Sequence, residues 1–501
     1  MVELPPAPSG QLGDERLARL AAGRPLLVAA FSKLLATAPT ALDTVLNALD
    51  SGAVTAEAPG LPQAAALYWD AVSSYLASQK DSPLVFAERL AWMPPNRIES
   101  GVAGDDEQAR AALGAVGLLG ESTSPDASSM HRVFGEVIRA STTASGRAER
   151  VVRELLELPA ARISLLRHSD TATVAALAEA VAHTTASGLA MWALATLQEA
   201  YQPALATQTF ARARLLLDPN DPAQATALAD CLYAAARVVN QSRQAPEADF
   251  VAVAEDLLYG MTLRSPDDQA GIARHEGLLA LIRMRAARYL QDPAEKVQAL
   301  NEARDLLEAS WLRRRAAFGD GDPMTDRANY NRAGVNVSLA RMKAEMASQA
   351  AADGDLTAEA EHRASAKKHL TEAGQVYRMA ADTRKRYYSR SNPLTAAAIH
   401  GIALCGQELI LLGLADDPEM VLGESIDAVA EALTIRRATG LDGDIVRSAS
   451  LLASLGILEI MLRTGEPGAL GSPAGREVAD ILTRLGLRDP ALKALGYLEG
   501  S

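Results

Sequence analysis

Histidine is the residue type in this sequence best suited to acid–base or metal chemistry, and seven histidines are present. His275 is followed by Glu276, but the second histidine of the His-Glu-x-x-His zinc motif is missing. His362 and His369 share one face of a predicted helix, and no acidic or cysteine partner completes a ligand set. No Gly-x-Ser-x-Gly nucleophile elbow stands out. The sequence therefore predicts no catalytic residue and no metal site, and we expect a protein that is not an enzyme.

Phosphate chemistry would need a P-loop, in which the backbone of Gly-x-x-x-x-Gly-Lys-Ser/Thr cradles the phosphates beside a lysine. The sequence contains no Gly-Lys pair. Residues 410–417 imitate the strand of a Walker B motif, but they lie in a helical context. We therefore expect this chain to bind no ATP or ADP on its own.

The charge balance argues against nucleic acid and membranes as partners. The formal net charge is −13, and an acidic protein repels phosphate backbones and anionic lipids. A helix predicted over 105–116 begins Asp105-Asp106-Glu107, whereas phosphate contacts need Lys and Arg. The first residues lack the pattern of a secretory signal, and charges interrupt the apolar stretches before they reach membrane-spanning length. We expect a cytoplasmic protein with no direct nucleic-acid or membrane partner.

Composition and patterning predict an all-α fold. Hydrophobic residues make up 49% of the chain but aromatic residues only 4%, so Ala and Leu supply most of the core, which favours closely packed helices. Helices are predicted over 26–36, 40–50, 62–79, 83–93, 105–116 and 131–140, and then in unbroken succession from about 146. The one strand signal is a small β-hairpin with strands at 118–119 and 128–130. Cys231 and Cys405 lie in apolar helical stretches, which is typical of buried thiols.

A repeat of helical hairpins is indicated after residue 146. Turn prolines mark it at Pro222, Pro266, Pro323 and Pro393. Around the last two, a helix ends in a basic run, 313–315 or 384–386, and Pro-x-Thr begins the next helix. These runs either bind acidic partners or satisfy helix ends and nearby acids. Asp353-Gly354-Asp355 predicts lengthened helices or an extra loop, and such hairpins must stack to bury their apolar faces.

The segment 300–465 resembles tetratricopeptide repeats of the kinesin-light-chain type. The matching residues are Arg314, Gly321, Pro323, Thr325, Asn331 and Ala333, then Pro393, Thr395 and Ala403, then Arg436, Arg437 and Ala453. Gly401 stands where this pattern has Asn. Such superhelices line a groove with the inner helix of each pair, and Asn can hold a peptide backbone through its donor and its acceptor. We therefore predict a peptide-binding set of Arg327, Tyr330, Asn331 and Asn336, with a solvated or inter-repeat polar face as the alternative.

The N-terminal part resembles STAND (NB-ARC-type) signalling ATPases. Residues 22–27, Ala-Gly-Arg-Pro-Leu-Leu, are similar to the Gly-x-Pro motif of their helical domain, and residues 87–95 and 130–134 are similar to their winged helix with its "MHD" motif. The resemblance implies that Pro25 contacts adenine and His131 a phosphate. Because the P-loop is missing, we expect this nucleotide sensing, and an ATP or ADP cofactor, only if a separate chain supplies a P-loop. The alternatives are a plain helix start at Pro25 and a capping or packing role for His131.

The resemblance also implies a domain order and a function. The predicted segments are a flexible leader 1–13, a helical domain 14–82, a winged-helix-like domain 83–145, a helical spacer or degenerate repeats 146–250, tetratricopeptide-like repeats 251–465 and C-terminal capping helices 466–501. The implied function is a non-catalytic sensor or scaffold that binds a protein or peptide and relays it in STAND-like defence or regulatory signalling, with a separate NTPase or effector chain as a further partner. A free-standing repeat adaptor for complex assembly and a helical enzyme are the alternatives.

Overall fold

The computed structural model describes residue 21 and residues 24–464, with gaps at 51–60, 80–82, 96–97, 100–101, 103–106, 122–126, 182–186, 243–244 and 441. The described part contains twenty α-helices and one small sheet, which confirms the predicted all-α class. The chain forms two compact units, Met1–Ala234 (unit 1) and Ala235–Ser501 (unit 2). The predicted leader 1–13 and the predicted capping helices 466–501 lie outside the described residues, and the other predicted domain boundaries stay predictions.

The helices of unit 1 are short and often begin with proline. They are α1 (Pro25–Thr37), α2 (Leu42–Asp50), α3 (Leu61–Ser78), α4 (Pro83–Leu90), α5 (Glu107–Ala115), α6 (Arg132–Ala144), α7 (Ala148–Glu157), α8 (Pro159–His168), α9 (Thr171–Ala180), α10 (Gly188–Tyr201) and α11 (Pro203–Leu216), and a 3₁₀ turn (Pro39–Ala41) joins α1 to α2. The next helix, α12 (Pro222–Gln241), runs across the boundary at Ala234. Proline suits the first position of a helix because the N–H that it lacks would have no intrahelical partner there.

Three short strands form an antiparallel sheet in unit 1. They are β1 (Ile98–Glu99), β2 (Leu119–Glu121) and β3 (Ala127–Met130), in the order β1-β3-β2. Leu119 lies opposite Met130, so the predicted hairpin is confirmed. Strand β1 also pairs with β3, with Ile98 opposite Ser128. The sequence did not predict β1, because a two-residue strand is too short to show alternation.

Tyr68 of α3 joins α1 and α6 in the core of unit 1. Its ring centroid lies 5.3 Å from that of Phe31 on α1 and 5.1 Å from that of Phe134 on α6. Its hydroxyl donates a hydrogen bond to the carbonyl of Val116, which fixes the turn before β2. Gly117 follows with a φ of +81°, and a Cβ there would lie 3.2 Å from the backbone of α1. Glycine therefore lets this turn, and the strands after it, approach α1 closely.

Unit 2 is a solenoid-like succession of helices in which each helix packs against the next. Its helices after α12 are α13 (Glu247–Thr262), α14 (Gln269–Ala286), α15 (Pro293–Phe318), α16 (Pro323–Ala352), α17 (Leu356–Tyr387), α18 (Pro393–Leu411), α19 (Pro418–Thr439) and α20 (Asp442–Thr464). Helices α16 and α17 are 30 and 32 residues long, so the helices flanking Asp353-Gly354-Asp355 are lengthened. Gly354 allows the tight turn between them because its φ is +76°.

A buried arginine near the end of α15, α17 and α19 ties each helix to the start of the next one. Arg314 Nη1 donates to the carbonyl of Met324 at 2.9 Å, and Arg384 Nη1 to that of Leu394 at 2.7 Å. In the third repeat, Arg436 Nη1 donates to the carbonyl of Asp444 at 2.9 Å. The three side chains therefore fix the turns between successive helices.

Helix α18 is long and apolar enough to cross a membrane by length and composition alone. In unit 2 it packs between α17 and α19, and Ala396, Ile399 and Cys405 are among its buried residues. This is the packing of a core helix. Cys405 and Cys231 are buried free thiols, as the sequence predicts, and burial raises the pKa of each to about 12.

Candidate functional site

Helix α16 carries all four residues of the predicted peptide-binding set, but it presents them in different directions. Successive residues of an α-helix are rotated by about 100°, so Arg327 and Asn336, nine positions apart, lie on opposite sides. Arg327 is exposed, Asn331 is half-buried and Asn336 is 3% exposed. The structure therefore does not gather the four side chains at one surface.

Tyr330 packs inside unit 2. Its ring meets that of Tyr377 on α17 edge-on, with the centroids 5.2 Å apart, and the Arg384 guanidinium lies 4.2 Å from its centroid. The same arginine donates through Nε to Asp326 Oδ2 at 2.6 Å, and both side chains of that pair are 5% exposed. Burial raises the pKa of Asp326 against the opposing effect of Arg384. Tyr330 and its neighbours thus hold α16, α17 and α18 together.

Asn336 faces a groove in which α15 and α17 are the walls and α16 is the floor, here called the α15–α17 groove. On α16, Val335 and Leu339 pack with the apolar residues of α15, whereas Ala333 and Val337 pack with those of α17. Asn336 lies between these two contact faces and therefore points into the gap between the walls. The groove has a volume of about 460 Å³.

The lining of the α15–α17 groove is polar and more basic than acidic. Its charged residues are Arg304 and Glu308 on α15, Arg332 on α16, and Lys368 and Glu372 on α17. Arg332 lies 3.7 Å from Glu308 and 5.0 Å from the ring centroid of Trp311. Lys368 lies 3.9 Å from Glu372. Arg304 pairs with Asp305, an exposed acid on the same helix, at 3.0 Å. The lining itself therefore carries three cations and two acids, and each cation has an acid beside it.

Two buried polar atoms in the α15–α17 groove have no hydrogen-bond partner among the described residues. They are Asn336 Oδ1 and His369 Nδ1, on side chains that are 3% and 9% exposed. Burial lowers the pKa of His369, Glu372 raises it, and Arg304, Lys368 and Lys343 lower it further. The imidazole is therefore neutral at pH 7. A buried polar atom without a hydrogen-bond partner destabilises the protein. A ligand that hydrogen-bonds to Asn336 Oδ1 and His369 Nδ1 would remove this cost, so the two atoms mark a candidate ligand site.

Of the two predicted nucleotide-sensing residues, His131 lines a second pocket, here called the α1–α6 pocket, in unit 1. Pro25 is exposed at the first position of α1, and Leu26 next to it lines the pocket. His131, from the other side, caps α6 by accepting a hydrogen bond from the Val133 N–H on Nδ1 at 3.3 Å. When the imidazole is neutral, its proton is therefore on Nε2, which is a hydrogen-bond donor.

The α1–α6 pocket has a volume of about 400 Å³ and suits an anion. Lys33, His131 and Arg132 line it, and none of its described lining residues is acidic. Lys33 also reaches the carbonyl of Gly114 at 3.4 Å, and Arg132 pairs with Glu136 at 2.8 Å. The structure thus places His131 near the start of α1. The same side chain also caps α6.

His275 and Glu276, the first chemical candidates in the sequence, have structural partners. His275 is fully buried, and its Nδ1 lies 3.0 Å from the carbonyl of Gly271. Arg313 donates to Glu276 at 3.1 Å. Within the described part of the chain, no three His, Cys, Asp or Glu side chains gather in a way that could hold a metal ion.

Two residues of the α15–α17 groove, Arg332 and His369, were not in the predicted set. Arg332 is four residues before Asn336, a spacing that puts both on one face of α16. That spacing was a usable signal. His369 had no comparable signal, because its place depends on how α17 packs against α16 and α15.

Comparisons with known proteins give remote structural likenesses. No protein-family model and no curated protein sequence matches this chain. Among matching solved structures is a signal transduction ATPase with numerous domains (STAND) protein with a tetratricopeptide repeat sensor from Pyrococcus horikoshii, at 12% identity and a TM-score of 0.36, covering 96% of this chain and 71% of that chain. Another is a circular tandem repeat protein with novel repeat topology, at 14% identity and a TM-score of 0.25, covering 96% of this chain and 95% of that chain.

Proposed function

We propose that the protein is a non-catalytic, cytoplasmic scaffold of helical repeats that binds a protein or peptide through unit 2 and relays that event to a signalling partner. The observation that carries this proposal is the α15–α17 groove, where Asn336 and His369 hold buried polar atoms without partners among the described residues. A purely structural surface would be more stable with apolar residues there. Stacked helical hairpins supply the rigid surface on which such a groove keeps its shape.

The relay part of the proposal concerns the α1–α6 pocket. Its basic lining, with His131 Nε2 as a donor, suits the phosphate of a nucleotide that a separate STAND-like NTPase chain holds. Unit 1 then reports the nucleotide state of that partner, and unit 2 reports the bound protein or peptide. The resemblance of residues 22–27 and 130–134 to STAND proteins supports this reading.

Equilibrium dialysis of the full chain against labelled ATP and ADP tests the nucleotide part. We expect no retention by the chain alone, because the sequence contains no Gly-Lys pair for a P-loop. Tight ATP binding by the purified chain would contradict the proposal.

Selection from a displayed library of random dodecapeptides on the immobilised full chain tests the binding part. We expect the pool to converge on one motif whose synthetic peptide binds in solution. A pool that shows no enrichment over the same selection on an unrelated helical protein would contradict the scaffold function.

A free-standing adaptor for complex assembly is the second candidate, and an exposed apolar edge favours it. Four large apolar side chains lie at the turn between α15 and α16 and at the turn between α17 and α18: Phe318 (48% exposed), Met324 (44%), Tyr387 (57%) and Leu394 (47%). Surface patches of this kind often mark protein contacts. An adaptor would use this edge without any response in unit 1, which separates it from a relay.

A further inference from the structure

The unpartnered atoms of the α15–α17 groove indicate which hydrogen-bonding groups a ligand must supply. This inference rests on the proposed binding function. Asn336 Oδ1 is an acceptor and needs an N–H donor. His369 Nδ1, in a neutral ring, pairs with either an N–H or a carbonyl, depending on its tautomer. A free carboxylate offers only acceptors and would leave Asn336 Oδ1 without a donor. A peptide backbone offers both donor and acceptor.

The charge of the α15–α17 groove adds a second requirement. Around His369, Arg304, Lys368 and Lys343 stand against the single acid Glu372. Glu308 lies by Arg332, which also lies over the ring of Trp311. Arg304 also pairs with Asp305 at 3.0 Å, so three cations face two acids around the buried pair, and one positive charge is in surplus. A negatively charged side chain next to the bound backbone satisfies this surplus.

We propose that the α15–α17 groove binds an extended peptide segment that carries an acidic side chain. The backbone N–H of the segment donates to Asn336 Oδ1, and a neighbouring peptide group pairs with His369. The acidic side chain lies between Arg304 and Lys368. The groove differs from the predicted peptide-binding set, because of those four residues only Asn336 lines it.

The test uses the peptides that the library selection on the full chain enriches. For each, a fluorescein-labelled peptide with Glu or Asp at the enriched position is compared with its Gln or Asn counterpart by fluorescence polarisation. Full chains are compared as wild type, N336L, R304Q/K368Q and the control R288Q/R390Q, which changes the net charge equally at two exposed positions outside the groove. Circular dichroism checks that each variant is folded.

We expect the wild type to prefer the acidic peptide by about tenfold, a difference of about 1.4 kcal/mol. R304Q/K368Q is expected to reduce that preference to within about twofold, and N336L to weaken both peptides by about tenfold, as the loss of one buried hydrogen bond predicts. R288Q/R390Q is expected to match the wild type.

Two results would overturn the groove assignment while the scaffold function stands. One is an enriched motif without an acidic residue. The other is peptide binding that neither N336L nor R304Q/K368Q changes, which would place the peptide elsewhere on the chain. Failure to enrich any peptide would instead contradict the scaffold function itself, and the groove assignment with it.

Discussion

At the scale of single residues, Asn336 carries the proposal that unit 2 binds a peptide. The side chain is 3% exposed and its Oδ1 has no partner in the described part of the chain. A buried acceptor in this state destabilises the free protein, and the same atom becomes favourable when a ligand donates to it. Binding capacity and stability therefore oppose each other at this position.

Replacing Asn336 with Leu is expected to stabilise the free protein while it weakens peptide binding. An unpartnered buried polar group costs about 1–3 kcal/mol, so N336L should raise the free energy of opening of α16 by roughly 1 kcal/mol. Hydrogen exchange of the α16 amides measures this, with N331L as the control on another face of the same helix. If the backbone amides of α16 exchange faster in N336L than in N331L, the side-chain amide of Asn336 has a structural role.

His400 gives a pH dependence with a defined direction. Burial, together with Arg436 and Arg447, lowers the pKa of His400 to about 4, and its Nδ1 lies 3.3 Å from Ser448 Oγ. Between pH 6.5 and 4 the unfolded chain binds a proton that the folded chain does not. Stability supplied by neutral His400 is therefore present above pH 6.5 and is lost as the pH falls towards 4.

The variant H400N removes this titration. The wild type should lose about 2 kcal/mol more than H400N between pH 7 and pH 5, because each pKa unit corresponds to about 1.4 kcal/mol. Urea unfolding of both proteins at the two pH values measures the difference. Parallel pH profiles would mean that His400 titrates normally in the folded protein.

At the scale of elements, the basic runs at the ends of α15 and α17 act within the fold. Arg384 connects three helices, since it donates to Asp326 on α16 and to the carbonyl of Leu394 on α18. Arg314 and Arg436 make the matching contact to the following helix. Of the two readings of the sequence, these contacts favour the satisfaction of helix ends and acids over the capture of an acidic partner.

Removing the Arg384 guanidinium is expected to be costly. R384M leaves Asp326 buried without its cation, and breaking a buried ion pair in this way destabilises proteins by about 3–5 kcal/mol. R386A, which removes an exposed cation two residues away, should cost less than about 0.5 kcal/mol. Urea unfolding followed by circular dichroism compares the two, and D326N/R384M should recover part of the loss. Equal midpoints for R384M and R386A would contradict the role given to this arginine.

The elements that the sequence predicted well are those with long periodic patterns. Helices over 26–36, 62–79 and 131–140 correspond to α1, α3 and α6, because their apolar spacing extends over several turns. Strand β1 was not predicted. The predicted peptide-binding residues are neighbours in the sequence of α16, and sequence proximity does not put them on one face of the helix. Which side of α16 faces the groove depends on the packing of Val335 against α15 and of Val337 against α17. One sequence cannot supply that contact information.

At the scale of the whole molecule, a relay and an adaptor make different predictions for unit 1. If binding at the α15–α17 groove is relayed, the saturating acidic peptide should change the hydrogen exchange of α1 and of the first turn of α6, which border the α1–α6 pocket. An adaptor should show changes within unit 2 only. The matched Gln peptide at the same concentration is the control. Unit 1 exchange that stays unchanged while unit 2 is saturated would leave the adaptor as the function.

Hydrogen exchange of the full chain with and without the enriched acidic peptide also tests the central claim, that unit 2 binds a peptide in the α15–α17 groove. The account predicts slower exchange in α15, α16 and α17 around Arg304, Asn336 and His369, and little change there in N336L at the same peptide concentration. Protection confined to other helices of the chain, or equal protection in N336L, would contradict it.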